Sequence, residues 1–472
     1  MLSEKEILEN LEKGVFINPD TDEVIDSSDK QIDHDNNILL KFKIEFLKKY
    51  ENIFKKRTYD DFFKHFLIRY KNIEFLLKSR QELRNLTSIS RLENKMEKDR
   101  VSVIGMVKEK SETKKGNIML TVEDPTGEIK VLVMPRNEKL YKFAKDIVLD
   151  EILGISGSMG TNIIFSNSII CPDIPVTHEL KKHPEEIYAA FIGDMHFGSR
   201  VFLEEEFTKM LSWLRGEIGS DKQTEIAKKI KYIFMTGDLV EGVGIYPGQE
   251  DDVDEKYHDI KKQYEVVASW LKKIPKDKIV IICPGNHDYG RMAEPQLPLT
   301  NEYSASLSKL KNVIQVSNPS FINFAKTDNF PGFNLILYHG GSLIYYSENV
   351  PSIRRAGGQK AVNQTMKFLL QRRHLAPTHG STLYIPDPAK DFLFIDTIPD
   401  FFITGHIHRA NVDSYRNITT INASCWTGKT EDQVKRGLEP QPAKLPIVNL
   451  HTRQVKIVNF LSEKHKGVMK KQ

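Results

Sequence analysis

Five short apolar runs in the second half of the chain each meet a glycine and a set of metal-binding side chains. IYAAFIG leads into Asp194-Met195-His196, and YIFMTG leads into Asp238. KIVIICPG leads into Asn286-His287-Asp288. FNLILYHG carries His339, and DFFITGH carries His406 with His408 two positions on. Continuous apolar runs bounded by turn formers read as strands buried on both faces, and the segments between them read as helices. That alternation is the pattern of α/β layers. Side chains at the carboxyl ends of such strands converge on one crevice. The glycines let the backbone turn sharply and leave room for ions and substrate.

The ligand types narrow the chemistry. Asp, His and Asn without Cys suit divalent manganese, iron or zinc, with magnesium also admissible. Asp194 and His196 can grip one ion from an extended turn, and so can His406 and His408. Asp238 is the candidate bridge between two ions. Two ions about 3.5–4 Å apart lower the pKa of a shared water and clamp an attacked phosphorus. His287, beside Asn286, is then spare to protonate a leaving oxygen or steady phosphate charge. A lone D-x-H or H-x-H is a weak signal, whereas five pieces in fixed order after strands are a strong one. His258, His374 and His379 have no such context and read as surface or packing residues.

The rest of the chain divides by pattern. Residues 1–40 carry 11 acidic and 3 basic side chains, and residues 41–100 carry 9 acidic and 17 basic. The two stretches cancel, leaving a net charge of +4, which argues against a uniformly basic nucleic-acid coat. Residues 1–77 read as a helical, partly disordered region: a short amphipathic helix over 3–13, an acidic linker over 14–36, and two helices over 38–77. The helices are marked by Phe42, Ile44, Phe46, Leu47 and Tyr50, then Phe62, Phe63, Phe66, Leu67 and Tyr70. Their basic faces fit solvated packing helices better than direct nucleic-acid binding. Residues 78–98 read as a second linker and 462–472 as a flexible basic tail.

Residues 99–175 change to strand period. About five strands, with the helical stretch NEKLYKFAKDI after the third, give the order of an OB-fold barrel. Asp124-Pro125-Thr126-Gly127 makes a hairpin turn. Such barrels often bind single strands on exposed aromatics, but here Phe165 stands nearly alone, so an interface role is at least as well supported. The α/β pattern with its candidate ligand loops then fills 186–461. Cys171, Cys283 and Cys425 are far apart, so no disulfide framework is expected and a reducing cytoplasm is the default. No apolar run reaches the ~18 residues of a membrane span, and MLSEKEILENLEKG lacks the apolar core of a signal peptide.

The set DMH, GD, GNHD, H and GHIH resembles the calcineurin-like metallophosphoesterase superfamily. The resemblance implies a β-sandwich with flanking helices, so the whole reads as a multidomain α+β protein. Gly237-Asp238-Leu239-Val240-Glu241-Gly242 departs from the protein-phosphatase motif and lies closer to the nuclease branch. Helices, barrel and phosphoesterase in this order resemble the small-subunit family of archaeal D-family DNA polymerases. So do Arg372-Arg373-His374-Leu375-Ala376-Pro377 and the stretch INASCWTGKTEDQVKRGLEPQPAKLPIVNL. The resemblance implies one metal site from Asp194, His196, Asp238 and His408, and another from Asp238, Asn286, His339 and His406. It implies a catalytic His287 and 3′→5′ exonucleolytic hydrolysis of DNA, with two divalent ions, manganese foremost. The DNA would be a single strand or a primer 3′ end. The chain would proofread for a separate large polymerising subunit. The alternative is a scaffold that holds the polymerase without catalysis.

Three features lie outside that site. The acidic stretch 241–260 would repel DNA and is expected away from the strand path or against a partner. Residues 340–390 are long enough for a lid or an interface. Within them, Arg354, Arg355, Arg372 and Arg373 could meet phosphates, with solvated surface or subunit contact equally supported. Gln454 to Leu461 fits the loose pattern of sliding-clamp ligands, a weak partner signal. The same residues read better as a closing strand paired with LPIVNL.

Overall fold

The computed structural model describes residues 41–50, 55–300, 302–430 and 439–462, with isolated positions 16–17, 24–25, 39 and 433. The helix expected over 3–13, nearly all of the linker 14–36 and all but Ser462 of the tail 462–472 lie outside the described residues.

Two six-stranded sheets face each other. The first runs Val313–Gln315, Ile279–Ile282, Ile230–Met235, Tyr188–Ile192, Lys444–Asn449, Val455–Asn459. Its first four strands are parallel and its last two antiparallel. The second runs Asn411–Tyr415, Ile418–Asn422, Phe401–Thr404, Phe333–Tyr338, Ser320–Phe324, Glu45–Lys48. Phe191 and Phe234 stack with ring centroids 5.6 Å apart and meet Phe324, Phe333 and Phe401 across the sandwich. Each such fully buried aromatic contributes about 1.5–3 kcal/mol from burial. Strands buried on both faces explain the unbroken apolar runs. Helices Glu204–Leu214 and Ile260–Leu271 cover the first sheet, and Leu343–Asn349 and Val362–Arg372 cover the second. The result is a four-layer sandwich.

Before it stands a closed five-stranded barrel, Arg100–Glu112, Ile118–Asp124, Gly127–Val133, Ile163–Ile170 and Ile152–Gly160. Helix Glu138–Lys145 follows the third strand, and the third and fifth strands pair in parallel, which is OB-fold order. The Asp124 side chain accepts from the backbone N–H groups of Thr126 (2.7 Å) and Gly127 (3.1 Å), closing the expected turn. Within 78–98, expected as a linker, Leu83, Ile89 and Leu92 are buried. Leu83 packs with helix Tyr59–Lys78 and the barrel wall, while Ile89 and Leu92 join the barrel core.

The first of the two helices expected over 38–77 is corrected. Glu45–Lys48 is an edge strand paired antiparallel with Ser320–Phe324. Phe42, Ile44 and Phe46 recur at a spacing of two, and that period governs. The second is a helix, Tyr59–Lys78, started by a Thr58–Asp61 capping box. One of its cations, Arg69, is not on a solvated face: it is buried with Nε 2.7 Å from Asp391 Oδ2. Val455–Asn459 pairs with Lys444–Asn449, so the clamp-like segment is a sheet strand. Among the described residues no helix is long and apolar enough to cross a membrane.

Candidate active site

The parallel strands of both sheets end at one crevice, and each delivers its loop there. Gly193 has no room for a side chain: a Cβ would stand 1.5 Å from the Ser424 carbonyl oxygen. Gly237, at φ +91°, brings its loop against Gly285, where a Cβ would come within 2.4 Å of the amide nitrogen. The two loops therefore touch backbone to backbone.

All eight residues read from the sequence come together. Oxygen and nitrogen atoms of Asp194, His196 and His408 lie within 4.8 Å of one another, and so do those of Asp238, His339 and His406. His287 makes a third such group with His196 and Asp238. Asn286 Oδ1 is 2.8 Å from His339 Nε2. Asp238 Oδ2 is 3.5 Å from His196 Nε2 and 3.4 Å from His339 Nε2, between the two clusters. His258 and His379 are exposed, and His374 is buried elsewhere, 2.8 Å from Asp391.

Backbone strain marks the same residues. His196 (φ 51°), Asp238 (48°), His406 (66°) and His408 (54°) all sit in the left-handed region. Such conformations cost on the order of 1–3 kcal/mol each and persist where surroundings impose them. Here the surroundings are hydrogen bonds to the loops. Asp194 Oδ2 accepts from the His406 amide (2.7 Å), and Asp238 Oδ1 accepts from the His287 amide (2.8 Å).

The donor set fits divalent cations. His339 Nδ1 lies 2.7 Å from the Thr236 carbonyl oxygen and so donates its proton there. Its Nε2 then points toward Asp238 Oδ2, Asn286 Oδ1 and His406 Nδ1, the last at 3.2 Å, and offers a lone pair to a cation when it is unprotonated. His196 Nε2 and His408 Nε2 face each other at 3.0 Å, with Asp194 Oδ2 3.3 Å from the latter. Acceptors crowded around one point need positive charge among them. Protons supply it in the free protein. Burial opposes charge on His339, yet the Asp238 carboxylate overcomes it and pushes the imidazole up to about 10. Burial and the His339 charge hold His406 down to about 3. Asp238 stays well below the usual carboxylate range, because His339 and His287 outweigh its burial.

Several partners were not foreseen. Glu241 belongs to the acidic stretch expected away from the site, yet its carboxylate is 3.0 Å from His196 Nδ1. Its carbonyl oxygen accepts from His287 Nδ1 at 2.7 Å. The signal was its place three residues after Asp238. Asp288 is buried beside them. Burial, then repulsion from Asp238, push its carboxyl up to about 7. The arginines are divided. Arg372 and Arg373 are buried: Arg372 pairs with Glu151 of the barrel at 2.9 Å, and Arg373 donates to the carbonyls of Ile395 and Asp396. Arg354 and Arg355 are exposed. The cleft over the ligands has a volume of about 370 Å³, with Tyr246, Met292 and Ile344 on its walls.

Comparison with known proteins bears on the fold and the family. Residues 188–410 match the calcineurin-like phosphoesterase family, and residues 101–176 match the OB-fold nucleic acid binding domain. The DNA polymerase II small subunit of Archaeoglobus fulgidus is 34% identical over 388 residues, covering 82% of this chain and 75% of the relative. That of Methanothermobacter thermautotrophicus is 34% identical over 389 residues, covering 82% and 77%. Among solved structures, an archaeal phosphodiesterase aligns with 58% of this chain and 99% of its own at 12% identity, with a TM-score of 0.27. A barrel followed by a phosphoesterase-type sandwich, and identity sustained over most of both chains, place this protein in the family of archaeal DNA polymerase II small subunits, the D-family small subunit with a metallophosphoesterase fold.

Proposed function

We propose that this subunit is a two-metal 3′→5′ exodeoxyribonuclease that proofreads for the large polymerising subunit its family implies. The observation that carries the reading is the shared Asp238 between two ligand clusters on the floor of an open cleft, with His287 at the same place. When bound, two divalent ions, manganese in this reading, supply an activated water and charge compensation for the attacked phosphodiester. One would be held by Asp194, His196, Asp238 and His408, the other by Asp238, Asn286, His339 and His406.

The chain's own groups do the rest. Thr236 and Glu241 fix the tautomers of His339 and His196, which aims their Nε2 atoms inward. His287 donates its Nδ1 proton to the Glu241 carbonyl, so its Nε2 is left to serve the substrate. In this role Nε2, once it has taken up a second proton to form the imidazolium, protonates the leaving 3′ oxygen or holds phosphate charge. The scaffold alternative has to accept the desolvation of this many buried polar groups without a use for them.

The test is digestion of end-labelled single-stranded and primer-template DNA with manganese, with and without the large subunit. Wild type should shorten DNA from the 3′ end. His287→Ala should lower the rate at least about 100-fold, the scale of general acid–base catalysis, while the complex still assembles. Full activity in that variant would remove His287 from the mechanism.

A further inference from the structure

The loop that carries Asp238 and the loop that carries Asn286 and His287 meet on one side chain that neither ligand cluster includes. Asp288 is only 4% exposed. Its two oxygens accept from the Leu239 N–H at 3.2 and 3.3 Å. Oδ2 also accepts from the Gly285 N–H at 2.9 Å, and Oδ1 accepts from the Tyr264 hydroxyl at 3.0 Å. Tyr264 has a single hydroxyl proton. Its oxygen already accepts from the Tyr289 N–H at 2.8 Å, so the proton goes to Asp288. Every one of these partners is a donor.

The positions of those donors give the contact its meaning. Leu239 directly follows Asp238, and Gly285 directly precedes Asn286. Tyr264 stands on helix Ile260–Leu271, in the layer packed behind the first sheet. One carboxylate thus ties both ligand loops to each other and to the helix. The Gly237–Gly285 approach leaves no room for a side chain between the loops, and the His287 N–H to Asp238 Oδ1 bond is their other direct tie. A 1 Å error in the placement of a reacting group can cost on the order of 100-fold in rate.

We propose that Asp288 is a positioning residue, which holds the Asp238 loop and the Asn286–His287 loop at the separation that a metal pair and a phosphodiester require. This rests on the two-metal reading above. The fourth residue of Gly285-Asn286-His287-Asp288 then acts through its neighbours and touches no substrate.

Asp288→Asn is the test, made in the complete two-subunit complex. The amide puts an NH2 group where one carboxylate oxygen accepted, so the clamp fails on one side. Manganese ion titrated alone by calorimetry should bind about 10- to 100-fold more weakly, with unchanged stoichiometry. kcat on a labelled oligonucleotide should fall by a similar factor while KM stays. Tyr264→Phe keeps the carboxylate and removes one donor, and should shift both readouts the same way by less.

Wild-type manganese affinity and kcat in folded Asp288→Asn would overturn the proposal. So would fewer binding-competent molecules with unchanged affinity per site, the result of a purely structural role. If Asp288→Asn does not fold, Tyr264→Phe decides, and wild-type affinity there overturns the proposal. If wild type binds manganese but leaves DNA intact, the nuclease reading fails, and the affinity comparison still decides the role of Asp288.

Discussion

Arg372 tests whether the cations of residues 340–390 serve DNA or the fold. Its Nε donates to Glu151 Oε2 at 2.9 Å, and its guanidinium lies 3.6 Å from the Phe368 ring centroid. Side-chain exposure is 4% for the arginine and 1% for the glutamate. Glu151 keeps one other strong partner, the Val148 N–H at 2.6 Å. Arg372→Met retains the apolar stem and removes the charge, leaving Glu151 buried beside a single donor. Breaking a buried pair from one side costs about 3–5 kcal/mol, whereas replacing both partners is often near neutral. Arg372→Met should therefore lower stability by about 3–5 kcal/mol, and Arg372→Met with Glu151→Gln should recover most of it. The assay is urea unfolding, with hydrogen exchange on strand Ile152–Gly160 and helix Val362–Arg372 to localise the loss. Affinity for a single-stranded oligonucleotide, measured in parallel, should not change. Weaker DNA binding at wild-type stability would refute this reasoning and return Arg372 to a phosphate-binding role.

Two further outcomes are expected. Burial, with Arg69 adding, lowers His374 to about 4 from 6.5, so the folded state holds it neutral. Its contribution is whole above pH 6.5 and is lost as pH falls toward 4, roughly 3 kcal/mol in all. His374→Gln should flatten the pH dependence of urea midpoints in that window, and an unchanged slope would contradict it. Phe460, the aromatic of the clamp-like segment, packs with ring centroids 5.9 Å from Trp213 and 6.1 Å from Trp426. Phe460→Ala should cost about 2 kcal/mol in urea unfolding, below the range for a fully buried Phe. No loss of stability would free that side chain for a partner.

The loops with the candidate ligands were legible because their physics is local. Strands buried on both faces must be apolar throughout, and the ligands must follow them, so the chain announces both within a few residues. The barrel was legible for the same reason, through turns such as Asp124–Gly127 and the helix after its third strand. What stayed hidden depends on distant partners. Glu45–Lys48 is a strand only because Ser320–Phe324 offers an edge. Arg372 is structural because Glu151, more than two hundred residues away, waits across the barrel contact. Glu241 looked like part of an acidic surface loop, and only the fold turns it toward His196 and His287. Residue type and spacing cannot report such pairings.

The central claim is a two-ion centre bridged by Asp238. Anomalous diffraction from crystals soaked in manganese tests it directly. The account predicts two peaks about 3.5–4 Å apart, both in contact with Asp238. Asp194, His196 and His408 should surround one, and Asn286, His339 and His406 the other. A single peak away from Asp238, or none at saturating manganese, would contradict it.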